Sequence, residues 1–274
     1  MNIIKKISIL IIFSLIFMIV LSGCSSTKSK SEKSKGVDKK TIYVGTQPDF
    51  PPYNYTDESG SLTGYDVELV REIFKELPQY NLKFKATSWD GITLGLESNR
   101  TQMIADQMSI NEERKQKYYL SKPYYNNQIF IVVKKGRTDI QSLEDLKGKT
   151  LELVVGTTPA TAIEKWNSKN GNKINIKYTK ATNYTDPLQD VANDRVDAYV
   201  ENLVNINSVI KKQNLQIQAI GKPVLELSVA FVFKKDKEGK QLQNEIDKVI
   251  DKLKADGTMK NLSIKWTGVD SIPK

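Results

Sequence analysis

From Thr41 onward, short β-rich runs alternate with amphipathic helical stretches, and this alternation restricts the fold more than any other feature. Ile42-Tyr43-Val44 reads as a strand stopped by Gly45. Asp66 is placed to cap a helix running through Leu77, on which Val67, Val70, Ile73, Phe74 and Leu77 form one apolar stripe. Leu82 to Ala86 reads as a strand, Asp90 to about Ser98 as a helix, and Gln102 to Ala105 as another strand. Ile129 to Val133 and Leu227 to Phe233 are apolar runs suited to buried strands. Between them lies a second series: strands at Thr150–Val155, Ile174–Tyr178 and Val196–Val200, with helices from Pro159 and around Pro187–Asn193. A helix over Lys240–Ala255 is broken by Asp256-Gly257-Thr258 before a last short helix. The pattern predicts α/β lobes with mostly parallel sheets.

Two absences narrow the chemistry. With no histidine in 274 residues, Ser-His-Asp and Cys-His catalysis and imidazole metal sites are excluded. The lone cysteine, Cys24, lies outside the α/β pattern, which therefore has no disulfide and no thiol nucleophile. The formal charge of +9 is concentrated at the N-terminus: residues 1–40 carry 8 of 41 Lys+Arg and 2 of 32 Asp+Glu, leaving 33 against 30, or +3, for the rest. A nearly balanced body with no basic stripe predicts no nucleic-acid partner.

The first forty residues divide in two. Lys5 and Lys6 precede an apolar run, Ile7 to Val20, followed by Leu21-Ser22-Gly23-Cys24. A basic start, a short apolar stretch and small residues read as a secretory signal, and the run falls short of the roughly 20 residues that span a bilayer. Leu-Ser-Gly-Cys resembles the bacterial lipoprotein processing site, which implies a signal peptide over 1–23 and a lipid (diacylglycerol, with palmitate) on Cys24. Residues 24–40 are polar and Lys/Ser-rich, without apolar period, and read as a flexible tether reaching roughly 20–25 Å.

Seven short motifs then occur in order. They are Gly45-Thr46-Gln47-Pro48-Asp49-Phe50-Pro51-Pro52-Tyr53, Gly64-Tyr65-Asp66-Val67-Glu68-Leu69, Trp89-Asp90-Gly91-Ile92 and Ser109-Ile110-Asn111-Glu112-Glu113-Arg114, then Gly156-Thr157-Thr158, Arg195-Val196-Asp197-Ala198 and Ala255-Asp256-Gly257-Thr258. Together they resemble the polar-amino-acid (family 3) solute-binding lipoproteins of ABC importers over nearly all of residues 41–268. Ala105-Asp106-Gln107-Met108-Ser109 and Pro187-Leu188-Gln189-Asp190 resemble the cystine-binding branch. The resemblance implies a type II periplasmic-binding-protein-like fold: two α/β lobes, two crossover hinge strands, and ligand in the interlobe cleft. Residues 41–130 with 227–274 would form lobe 1, and 131–226 lobe 2. It further implies a monomer on the extracytoplasmic face of the cell membrane, without cofactor, metal or catalytic residues, which passes a polar amino acid, cystine first, to an ABC permease and ATPase.

The residue chemistry agrees with that resemblance. Arg114 offers a planar fork for a carboxylate, and Thr157-Thr158-Pro159 opens a helix whose amides and hydroxyl suit the same anion. The resemblance places Gln107 and Ser109 beside the ligand, Phe50, Tyr53 and Trp89 around its side chain, and Trp89 in a loop before Asp90. The resemblance implies an acid at the positions of Gln47 and Asn202 in many relatives, the latter pairing with the ligand ammonium. Here both are amides, so either neutral acceptors hold the ammonium, or Glu201 or Asp49 compensates, or the ligand differs from the commonest ones. Leu146-Lys147-Gly148-Lys149-Thr150 ends like a P-loop but has Leu143 at the first glycine position, and reads as a turn into a strand. Two other functions fit the same fold: a cyclohexadienyl or arogenate dehydratase-like enzyme with Glu201 or Asp49 as acid, and an amino-acid sensor.

Overall fold

The computed structural model describes residues 39–180 and 185–273. The signal, Cys24 and the tether up to residue 38 lie outside the described residues. In chain order the strands are β1 (Lys40–Thr46), β2 (Asp49–Phe50), β3 (Asn54–Thr56), β4 (Leu62–Thr63), β5 (Tyr80–Ala86), β6 (Met103–Ile104), β7 (Tyr118–Leu120), β8 (Tyr125–Lys134), β9 (Thr150–Val154), β10 (Asn175–Thr179), β11 (Ala198–Asn202), β12 (Ile217–Val229) and β13 (Val232–Lys234). The helices are α1 (Tyr65–Lys75), α2 (Trp89–Glu97), α3 (Glu112–Lys117), α4 (Thr158–Lys169), α5 (Asp186–Ala192), α6 (Leu203–Gln213), α7 (Lys237–Ala255) and α8 (Thr258–Thr267).

The strands form two five-stranded sheets, ordered β5-β1-β6-β13-β7 and β10-β9-β11-β8-β12, with β2-β3-β4 as a small third sheet. Both large sheets are mixed rather than mostly parallel. In the first, β1 runs parallel to β5 and β6, but β13 is antiparallel to β6 and β7. In the second, β9 is parallel to β10 and β11, while β8 is antiparallel to β11 and β12. The cause is the chain path. It leaves the first sheet after Leu120, enters the second at Tyr125, and returns from Val229 to Val232, so each sheet gains strands without a helical crossover.

Helices cover both faces of each large sheet, which explains the near-continuous apolar runs. Successive residues of β8 serve opposite faces: Ile129, Ile131 and Val133 join Leu151, Leu153 and Ile163, while Val132 joins Leu188, Val191 and Ile206. In the first sheet, Val44, Phe231 and Phe233 pack with Leu69, Ile73 and Ile246 on one side, and Ile104 and Val232 with Ile92 and Leu96 on the other.

The two crossing strands are neighbours. β8 and β12 pair from Tyr125↔Val229 to Ile129↔Leu225, and the register shifts between Ile220 and Leu225. Gly221 sits in that irregularity at φ 66, where a Cβ would fall 2.2 Å from the Gln141 carbonyl oxygen, so only glycine fits.

Local readings hold with four amendments. The apolar run Leu227–Phe233 is not one strand: it ends β12 at Val229 in the second sheet and resumes as β13 at Val232 in the first. Asp66 is not a cap: α1 begins at Tyr65, Gly64 holds the N-cap position at φ 115, and the Asp66 side chain is buried elsewhere. Trp89 is not in a loop but opens α2, after Ser88. Pro159 is the second residue of α4, not the first, with Thr157 as N-cap accepting from the Ala160 amide.

Candidate functional site

A cavity of about 70 Å³ lies between the C-terminal ends of strands from both large sheets. From the first sheet's side it is lined by Phe50, Trp89, Asp106, Gln107, Ser109 and Arg114. Opposite stand Val154, Thr157, Thr158, Tyr199, Glu201 and Asn202, with Asn127 and Leu227 from the crossing strands. Larger hollows, of about 560 Å³ beside the start of α7 and about 730 Å³ along the crossing strands near Ile272, do not gather Arg114 or the α4 terminus. Ligand pockets usually enclose roughly 300–1,000 Å³, so a ligand enters the smaller space only if its walls part.

Arg114 sits in the first turn of α3, where the Asn111 side chain caps the helix by accepting from the Arg114 amide at 2.8 Å. Arg114 as a whole is 9% exposed. It donates to the Ser109 carbonyl at 2.7 Å, to Thr158 Oγ1 at 3.3 Å and to the Gly156 carbonyl at 3.4 Å, and lies 5.7 Å from the Trp89 ring centre. Asn111 Nδ2 also donates to Thr158 Oγ1, at 3.0 Å. That hydroxyl thus accepts from two donors, which leaves its own proton to give. The Thr158 amide heads α4, where no carbonyl of the helix can reach it. Thr157 is different: its hydroxyl caps α4 and donates to the Val154 carbonyl at 2.9 Å. The arrangement is suited to an anion held by Arg114 from one side and by Thr158 from the other.

A chain of buried polar groups runs behind this pair. Gln107 has φ 48, a left-handed conformation costly for a non-glycine residue. Asp66 compensates by accepting from the Gln107 amide at 2.9 Å and from its Nε2 at 2.6 Å, while Tyr124 donates at 3.0 Å. Gln107 Oε1 accepts from Asn127, and the Tyr53 hydroxyl has Asn127 Oδ1 and Asn202 Oδ1 at 3.2 Å each, one proton facing two acceptors. Asn202 Oδ1 caps α6 through the Asn205 amide, and its Nδ2 donates to Glu201 Oε1 at 2.8 Å. Burial pushes the Asp66 and Glu201 carboxyls up to about 7, against the Gln107 and Tyr124 donors at the first and the Asn202 and Tyr199 donors at the second. Burial raises Asp106 well above the usual carboxylate range, with the Gln47 amide opposing and the Asp66 charge adding.

Eight of the ten expected contact residues meet here: Phe50, Trp89, Gln107, Ser109, Arg114, Thr157, Thr158 and Asn202. Gln47 and Tyr53 do not line the cavity. Gln47 is buried with its amide on Asp106, and Tyr53 is buried against Phe50, their ring centres 5.3 Å apart. Asp49 is also outside it. Asn127 and Tyr199 line the cavity although no motif singled them out, Asp106 lines it although it stood in the Ala105–Ser109 stretch without an assigned contact, and Asn111 reaches Thr158 while serving as the expected cap.

The model for bacterial extracellular solute-binding proteins, family 3, matches residues 42–269. The chain belongs to this family. Over 97% of this chain and 96% of the relative, it is 37% identical to the probable amino-acid-binding protein YxeM of Bacillus subtilis. It is 32% identical to the L-cystine-binding protein TcyJ of the same organism, covering 95% of each. The structure of a putative L-cystine ABC transporter protein from Listeria monocytogenes superposes with a TM-score of 0.78 at 31% identity, over 85% of this chain and 98% of that one. As a family 3 protein the chain has the two-lobe α/β fold of these relatives, with one large sheet per lobe.

Proposed function

We propose that this protein is the extracellular binding subunit of an ABC importer that captures a polar amino acid, L-cystine first among candidates, and delivers it to a permease and its ATPase. The observation that carries the reading is the meeting of Arg114, borne by the first sheet's α3, with Thr158 at the head of the second sheet's α4. Each can hold the same carboxylate, so the ligand joins residues 41–130 and 227–274 to residues 131–226, and the lobes close about β8 and β12. Two cystine-related neighbours favour that ligand. A monomer anchored through lipid on Cys24 at the extracytoplasmic face completes the proposal.

A thermal-shift screen against the amino acids and L-cystine tests it, because a tight ligand raises the melting temperature. No shift with any of them refutes amino-acid capture. Mass spectrometry of Cys24→Ala against wild type tests the anchor: loss of the lipid mass is expected. A dehydratase reading draws on Glu201, a buried acid in the cavity wall held at about 7. Turnover of prephenate or arogenate would replace the transport reading; none is expected.

A further inference from the structure

Asn202 puts a neutral amide, not a carboxylate, on the cavity wall, and its amide oxygen is already engaged in capping α6. Three acids are near enough to be considered. Asp49 does not line the cavity. Glu201 does, but both its oxygens are occupied: Oε1 accepts from the Asn202 amide at 2.6 Å and from its Nδ2, and Oε2 accepts from the Tyr199 hydroxyl at 3.2 Å. Asp106 differs. Its Oδ1 accepts from the Gln47 amide at 2.9 Å and from Asn54 Nδ2 at 2.5 Å, but its Oδ2, also buried, meets no donor. The residue is 1% exposed and lines the cavity on the segment that carries Gln107 and Ser109.

We infer that Asp106, not Asn202 or Glu201, receives the ligand's ammonium group. This rests on the carboxylate grip assigned to Arg114 and Thr158. An α-amino acid carries both charged groups on one carbon, so a carboxylate at Arg114 brings its ammonium to the neighbouring wall. Once ionised, Asp106 would have a buried carboxylate oxygen without a donor, which is costly, and a charged donor is what that oxygen accepts best. Asp106 faces Asp66 of α1 and Asp49 of β2, both acidic, and the neutral donors Gln47 and Asn54. Arg114 and Glu201 line the same cavity, and no ion pair of Asp106 exists among the described residues. Burial and these like charges favour the protonated acid, so an arriving ammonium draws a proton off Asp106.

Paired ligands that differ only in the amino group test the assignment by calorimetry: L-cystine against 3,3′-dithiodipropionic acid, and L-glutamine against glutaramic acid. Wild type should prefer the amino acid of at least one pair by about 10- to 100-fold. Asp106→Asn should reduce that preference to a few-fold with the des-amino ligand nearly unaffected, and Glu201→Gln should keep it. An undiminished preference in Asp106→Asn overturns the inference and leaves the carboxylate reading standing. Binding of no amino acid to wild type removes both. Should Asp106→Asn fail to fold, Asp106→Ser takes its place in the same paired titrations: a preference reduced to a few-fold supports Asp106, and an undiminished one overturns the inference.

Discussion

Replacing Arg114 by alanine removes the fork that the proposed mechanism needs most. A carboxylate held by two charge-assisted hydrogen bonds gains roughly 1.5–3 kcal/mol from each. Against this stands what Arg114 gives up on receiving it. The contacts to Thr158 Oγ1 and the Gly156 carbonyl are long, 3.3 and 3.4 Å, and each is worth at most about 1 kcal/mol. The shorter bond to the Ser109 carbonyl, 2.7 Å, holds the fork in place and is kept. The net contribution is about 2–4 kcal/mol, so Arg114→Ala should weaken binding about 30- to 700-fold. Arg114→Lys keeps the charge but not the fork and should fall between. Calorimetric titration with the best ligand of the thermal screen measures both. The unliganded melting temperature should drop as well, because the buried Ser109 carbonyl loses its donor at a cost of about 1–3 kcal/mol. An Arg114→Ala affinity within threefold of wild type would refute the carboxylate assignment.

Trp89→Ala removes the ring facing the Arg114 guanidinium and should weaken ligand binding by about 0.5–2 kcal/mol, read by the same titration. Gly64→Ala places a Cβ 2.4 Å from the Tyr53 carbonyl oxygen at φ 115, so urea denaturation should register a loss of at least about 2 kcal/mol. Asp66 and Glu201 have carboxyls near 7 in the fold against ordinary values of 3.8 and 4.5, so the folded state retains protons that the unfolded chain releases. Their contribution is full below about pH 4 and is lost as pH rises through 7; the unliganded melting temperature should fall between pH 5 and 8, and Glu201→Gln should flatten that fall.

The parts of the site legible in the sequence are those whose chemistry is local. Asn111 three residues before Arg114 is a cap at any depth of burial, and Thr157-Thr158-Pro159 announces a helix start from its residue types alone. Tertiary placement was not legible. Asp66 has the composition of a cap and the neighbours of a helix start, yet its carboxylate is turned to Gln107, 41 residues away, because the left-handed backbone there needs a partner. Trp89 looks like a loop residue until Ser88 takes the cap position. The direction of β7 and β13 depends on where the chain crosses between sheets, which no hydrophobic period records. The strands β2 to β4, two or three residues long, are too short to show a period at all.

Direct bridges between the two walls explain why the ligand rather than the protein should decide closure. Arg114 and Asn111 meet Thr158, Arg114 meets Gly156, and Tyr53 meets Asn202, at distances of 3.0 to 3.4 Å, the Tyr53 proton being divided between Asn202 and Asn127. Bonds of that length and kind contribute about 1 kcal/mol or less each, which is too little to hold two lobes together against the hydration of the polar groups they would otherwise expose. A ligand that exchanges them for charge-assisted bonds to both walls adds several kcal/mol to the joined arrangement and nothing comparable to the parted one. In the proposed closure that difference, and not the tightness of any single contact, would set the population of the closed form. Under the proposed function Arg114 would therefore matter twice, as a grip on the ligand and as the residue whose own bonds to the opposite wall are long enough to be displaced.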